Sequence, residues 1–303
     1  MEMAWILFQQ VAVMFVLVAI GFALYKTGKV TGEGSRCMGN LLVFLSLPCV
    51  IVNGFLVERT PERVAGLAIS TVAALAVLGV STLIGHFAFR GRGIEQCAAA
   101  YSNPGFFGIP LIAAALGADA VFYIAPFIGV LNLLQWTYGV TVISGQKGRL
   151  RLKTLLTAPF LLAILAGMTL FLTRLSLPVL VAKPISYLAG INTPLAMVVL
   201  GVYLAQTDRK KLFGTAAVYA VSAMRLAVIP LVSLALLSLL PAGWNQLKLA
   251  VLIAIACPVG SNVAVYAQLH HKDYAYAVAA VTNSTLFSIV SIPLLVLLAN
   301  RVW

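Results

Sequence analysis

The apolar positions of this chain fall in long, nearly unbroken runs rather than at the alternating or three-four spacing of a water-soluble domain. A helix that spans the hydrocarbon core of a bilayer needs about 20 predominantly apolar residues. Ten runs approach or exceed that length: 5–25, 37–57, 64–88, 95–116, 119–144, 154–173, 179–206, 213–240, 246–269 and 273–299. Pro178, Pro184 and the Asn192-Thr193-Pro194 step interrupt the seventh. The first run follows Met1-Glu2-Met3-Ala4 with no basic stretch before it and no small-residue cleavage site after it, so it reads as a retained helix and not a signal peptide. The expected fold is an all-α membrane protein of ten transmembrane helices.

Composition strengthens this reading. Hydrophobic residues make up 62% of the chain and charged residues 9%, where a soluble domain carries roughly a quarter charged. The net charge of +12 would suggest nucleic acid in a soluble protein, but here the basic residues sit in the short gaps between runs, so no nucleic-acid partner is expected. The medium is membrane lipid. With the gaps assigned to alternate sides, one side collects Lys26, Lys29, Arg36, Arg90, Arg92, Lys147, Arg149, Arg151, Lys153, Arg209, Lys210, Lys211 and Lys272. The other collects Arg59, Arg63, Arg174, Lys183, Lys248 and Arg301. The richer side faces the cytoplasm, which places the 145–153 loop inside and both termini outside in a multi-pass cytoplasmic (inner) membrane protein.

Punctuation residues recur at a nearly constant offset. Pro48 and Pro194 differ by 146, while Pro104 and Pro258, and likewise Asp119 and Asp273, differ by 154. Each half, 1–146 and 152–303, holds five helices, an odd number, so the second half enters the membrane in the opposite sense. Such inverted repeats are common among secondary transporters.

The fourth and ninth helices carry the candidate site. Residues 101–110 read Tyr-Ser-Asn-Pro-Gly-Phe-Phe-Gly-Ile-Pro, and 257–262 read Cys-Pro-Val-Gly-Ser-Asn. Neither segment runs as an unbroken helix, because proline removes a donor and glycine adds freedom. Broken backbone at membrane depth is tolerated where it lines a cavity or meets protein. Each break opens a half-helix N-terminus that attracts an anion, with Asn103 and Asn262 beside it to donate and accept. An anion held there would need no fixed counter-charge. The candidate substrate-binding set is Asn103, Pro104, Gly105, Pro258, Gly260, Ser261 and Asn262 at the breaks, with Asn53, Asn132 and Gln135 in neighbouring runs. Arg225 joins it as the basic residue within the eighth run, facing the interior or, if that helix starts later, the cytoplasmic interface.

No Asp or Glu lies deep in a run, which argues against proton coupling through a midplane carboxylate and leaves sodium coupling open through the oxygens of Ser102, Thr193, Ser261, Thr282, Ser284 and Thr285. His86 and His270-His271 read as interfacial or loop residues. Cys37, Cys49, Cys97 and Cys257 have no metal-ligand spacing, and no Walker A, HExxH or GxSxG motif is present, so neither a metal, a cofactor nor an enzyme is expected.

Asn103-Pro104-Gly105-Phe106-Phe107-Gly108-Ile109-Pro110-Leu111 resembles the N-x-G-F-x-G-x-P-L segment of the auxin efflux carrier family. The run from Cys257-Pro258 to Gln268, Asp273 and Ser291-Ile292-Pro293-Leu294 resembles its C-terminal signature, and Leu45-Ser46-Leu47-Pro48 and Val130-Leu131-Asn132 to Trp136 also fit. The likeness covers essentially the whole chain. It implies a five-plus-five inverted fold whose fourth and ninth helices break and cross at Pro104 and Pro258, with Asn103 and Asn262 lining the site and Asn132 touching substrate. It also implies a scaffold of the first, second, sixth and seventh helices that forms a homodimer, and a moving transport domain of the rest. Bacterial members are permeases for malate, malonate and similar carboxylates, and plant members export auxin. The chain departs from the plant members in its short 145–153 loop, and from many relatives in placing Pro104 directly after Asn103. The expected function is elevator-type carriage of a small organic anion. The alternatives are a sodium-coupled carrier of the bile acid symporter type and a membrane receptor that does not transport.

Overall fold

The computed structural model describes residues 2–145, 157–206 and 215–303, with side chains from Trp5 onward. Lys147, Arg149, Arg151, Lys153, Arg209, Lys210 and Lys211, which weigh heavily in the charge count, lie outside the described residues. The described residues are helical with no strand. In chain order the helices are α1 (Glu2–Lys26), α2 (Gly32–Phe55), α3 (Pro61–Ala88), α4 (Gly93–Ala100), α5 (Pro104–Leu116) and α6 (Ala118–Ser144). They continue as α7 (Pro159–Thr173), α8 (Val179–Gln206), α9 (Ala216–Leu237), α10 (Ala242–Ala256), α11 (Asn262–Leu269) and α12 (Tyr274–Val302). Among the described residues seven of these, α1, α2, α3, α6, α8, α9 and α12, are long and apolar enough to cross a membrane, and α5, α7 and α10 are shorter apolar helices. The protein is therefore an integral membrane protein of the polytopic helical kind.

The apolar runs and the helices differ at their ends for local reasons. The second run starts at 37, but α2 begins at Gly32, because the Thr31 side chain accepts from Gly34 N–H (3.1 Å) and carries a polar first turn. The start of the sixth run, at 154, lies outside the described residues; α7 begins at Pro159, a residue preset for the first turn. The start of the eighth run, at 213, lies outside the described residues; α9 begins at Ala216, so Arg225 lies well inside the helix and not at its mouth. The seventh run is continuous through Pro184 but turns at Ile191, ahead of Asn192–Gln206. Gly117, at φ +90°, reverses the chain between α5 and α6, a conformation that favours glycine.

Three helices also widen by one residue ahead of a proline. Leu47, Ile109 and Ile229 donate five residues back, to Leu42, Pro104 and Met224, and Pro48, Pro110 and Pro230 follow directly. The proline ring displaces the carbonyl four residues before it and supplies no N–H, and a wide turn absorbs both faults.

Packing relies on close contact, since lipid tails are as apolar as the helix faces and hydrophobic burial does little to join helices. Along α1, Leu7, Val11, Met14 and Val18 turn inward while Val13, Val16 and Ile20 are exposed. The C-terminal half of α8 lies against α1 so tightly that a Cβ on Gly21 or Gly201 would strike the backbone of Val198 or Val18. α2 packs on α7 and on the first half of α8. α3, α4 and α6 pack together, as do α9, α10, α11 and α12. Every residue of α10 from Leu247 to Ala256 is buried, which places this helix at the centre of the bundle.

Candidate substrate site at the two helix breaks

The two interrupted segments meet. Tyr101 leaves α4 in extended form, and Ser102 pairs antiparallel with Val259 in an isolated bridge. Asn103 N–H donates to Pro258 O (2.9 Å) and Gly260 N–H to Tyr101 O (2.9 Å). The backbone freed by Pro104 and Pro258 thus satisfies itself across the junction, as buried polar groups in a bilayer must. Gly260 is required there, because a Cβ would sit 2.9 Å from Ser102 O. Val259 N–H is taken by Ser284 Oγ of α12 (3.0 Å).

Two half-helices start from this junction. The Asn103 carbonyl accepts from Phe107 and Gly108 and opens α5, and Gly260 and Ser261 carbonyls open α11. The N–H groups of Gly105, Phe106, Ser261 and Asn262 have no hydrogen bond among the described residues. Four unused donors therefore stand at two positive helix ends, the arrangement that attracts an anion. Side-chain amides and a hydroxyl surround them. Asn103 Nδ2 donates to Ser261 Oγ (3.1 Å), and Asn262 Nδ2 to Gln135 Oε1 of α6 (2.9 Å).

Arg225 lies behind the junction. Its guanidinium is wholly buried, and Nη1 donates to the carbonyls of Ala99 and Ala100 (2.9 Å each) while Nη2 donates to that of Ile255. Ser81 Oγ also donates to Ala100 O (2.7 Å). A charge near the bilayer centre costs on the order of 3 kcal/mol on insertion scales. Hydrogen bonds from a charged donor contribute about 1.5–3 kcal/mol each, enough for three to offset that cost. A guanidinium therefore stands behind the junction, with its donors spent on peptide carbonyls.

Of the residues singled out in the sequence, Asn103, Pro104, Gly105, Pro258, Gly260, Ser261, Asn262 and Gln135 come together at the junction, and Arg225 backs it. Two do not join it through a side chain. Asn53 is exposed on α2 with no side-chain hydrogen bond among the described residues, and Asn132 donates to Ile128 O of its own helix (2.8 Å). Asn192, not among the sequence candidates, does reach the site: its Nδ2 donates to Gly105 O (2.8 Å), leaving a buried Oδ1 without a partner. The Asn-Thr-Pro step was the available signal. His86, read as interfacial, is half-buried and linked through Tyr138 OH (2.8 Å) to Gln96 Oε1 (3.2 Å). No group of three His, Cys, Asp or Glu that could hold a metal ion occurs among the described residues.

A polytopic helical membrane protein with two interrupted helices bonded to each other and free helix N-termini at the junction has the build of a transport protein. The model of the membrane transport protein family matches residues 6–154 and 146–296, and the chain belongs to this family, that of the auxin efflux carriers. It is 27% identical over 289 residues to an uncharacterized transporter of Methanothermobacter thermautotrophicus, covering 92% of this chain and 94% of that protein. It is 26% identical over 298 residues to a Rhizobium meliloti protein named "Putative malonate transporter", covering 92% and 91%.

Proposed function

We propose that this protein carries a small dicarboxylate of the malonate or malate kind across the cytoplasmic membrane, binding it at the junction of the two helix breaks. The observation that carries this reading is the pairing of Ser102 with Val259, which brings the unused N–H groups of Gly105, Phe106, Ser261 and Asn262 to one place. One carboxylate would be held at each half-helix N-terminus, with Asn103, Ser261 and Asn262 adding side-chain hydrogen bonds. The name of the Rhizobium meliloti relative is consistent with such a substrate. An auxin-like monocarboxylic acid is the competing cargo of the same site.

The same reading takes α4 with α5 and α10 with α11 as single interrupted spans, giving ten spans in two inverted halves with both termini outside. α1, α2, α7 and α8 form the scaffold, and the remaining helices slide against it as an elevator. The tight α1–α8 contact and the packing of α2 on α7 and α8 support that grouping. The first half of α8 buries no residue within one protomer, Leu180 and Tyr187 being exposed, which supports a homodimer through this group.

Uptake of radiolabelled malonate, malate and indole-3-acetate into proteoliposomes, with and without a sodium gradient, tests the proposal. Saturable uptake of a dicarboxylate that falls at least about tenfold in Asn103→Ala and in Asn262→Ala is expected, a loss of about 1.4 kcal/mol or more. Uptake unchanged in both variants would remove the site from the junction, and indole-3-acetate as the sole cargo would replace the substrate class.

A further inference from the structure

No carboxylate among the described residues pairs with Arg225; the ion pair found is that of Arg63 with Asp119, remote from it at the N-terminal end of α3. A buried charge without a counter-ion persists only where dipoles replace its water. Here the dipoles are helix ends. Ala99 and Ala100 close α4, and Ile255 is the penultimate residue of α10. An unbroken helix would have satisfied these carbonyls internally, so each break leaves them open at the negative end of its first half. One planar, forked guanidinium reaches both ends at once, which a lysine ammonium on a single point cannot do.

Resting on the dicarboxylate reading above, we propose that Arg225 is the positioning residue of the anion site. It fastens the two interrupted helices together from behind, so that the N-termini of α5 and α11 converge, and its unpaired charge tunes the junction toward the more highly charged anion. It acts through the backbone of 99–103 and 255–260, not by touching the cargo. The half-charges of two helix C-termini sum to about the guanidinium's own charge but are spread over several carbonyls, so the cancellation at short range is incomplete. The positive potential it leaves reaches across one layer of peptide to the junction, where low dielectric keeps it strong.

Two readouts on the full-length protein test this. The first needs no substrate: hydrogen–deuterium exchange in detergent, comparing wild type with Arg225→Gln. Exchange at 97–106 and 253–264 is expected to rise about tenfold or more in the variant, with α1 and α8 unchanged, because the fastening and not the fold is lost. The second is a charge ladder of similar shape, malonate against malonamate, each titrated as an inhibitor of labelled malonate uptake in proteoliposomes. The wild-type preference for malonate is expected to narrow by about tenfold in Arg225→Gln. Wild-type exchange at both breaks overturns the proposal. So does a variant that transports more slowly with its malonate-to-malonamate ratio intact, since a strut without electrostatic reach would do that. If wild type accumulates no dicarboxylate, the transport reading fails and exchange alone decides the role of Arg225. Should the glutamine variant not fold, Arg225→Lys is expected to exchange faster at both breaks, and wild-type exchange in it would be the contrary result.

Discussion

The first and second helix breaks are made of the same parts and are held by different neighbours. At the first, Gly105 O accepts from Asn192 of α8, and a Cβ on Gly105 would lie 3.1 Å from Leu47 Cδ1 of α2. At the second, Val259 N–H is bound by Ser284 of α12 and Asn262 donates to Gln135 of α6. One break therefore leans on the helices proposed as scaffold, and the other is anchored wholly among those proposed to move. Sliding of the two groups would have to part the Asn192–Gly105 contact and would leave the second break undisturbed. The two breaks thus share residue types and differ in what they are fastened to.

Glycine substitution gives the largest expected contrast. In Gly260→Ala the new methyl meets the backbone oxygen of Ser102 at 2.9 Å, and neither strand can retreat without losing the bridge. A cost of about 2–3 kcal/mol and near-complete loss of uptake are expected. Gly105→Ala meets only the end of the Leu47 side chain, which can turn aside, so a cost under about 1 kcal/mol is expected. Thermal unfolding in detergent compares the two, and equal losses would mean that both breaks are equally confined.

Amide substitution separates the breaks by kinetics. Asn262→Ala leaves Gln135 Oε1 without its donor next to the proposed cargo, so weaker binding, by about 1–2 kcal/mol, should appear mainly as a raised KM. Asn192→Ala removes a contact that sliding must break. Its KM is expected to stay within about threefold while the maximal rate changes, the signature of an altered conformational step. Matching KM effects in the two variants would put Asn192 at the cargo instead.

The smallest contrast lies at the helix starts marked by Asp119 and Asp273, 154 residues apart. Asp273 accepts from Tyr276 N–H (2.9 Å) and caps α12, so Asp273→Ala should lower stability by about 1 kcal/mol at any salt concentration. Asp119 caps nothing and pairs with Arg63 at 2.6 Å with its side chain 69% exposed. Asp119→Ala should cost less than about 1 kcal/mol, and the loss should vanish in 1 M salt. Thermal shifts for both variants across a salt series measure the difference.

Much of this was legible beforehand because the lipid environment simplifies the rules. Long apolar runs and charges kept mostly to the gaps follow from the cost of polar side chains in hydrocarbon, and the paired Pro-Gly interruptions mark where the backbone must find partners outside its own helix. Gln135 and Asn262 were both candidates, but their hydrogen bond across 127 residues was not foreseeable. Asn132 shows the converse: it stands about one turn before Gln135 on α6, yet its amide bonds to its own helix.

What the amino-acid order determined alone was the class of protein, the apolar helices to within about two turns, the two sites of breakage and the family. These depend on local hydropathy and on the chemistry of single prolines and glycines, which act wherever they stand. What only the tertiary structure decided was which face of each helix is inward, which polar groups share the junction, and the use to which Arg225 is put. An apolar helix in lipid shows apolar residues on every side, so hydropathy cannot mark its inner face. Arg225, in sequence a basic residue facing the interior or the cytoplasmic interface, was free to choose among many acceptors. Folding brought it the three carbonyls that two broken helices had left open.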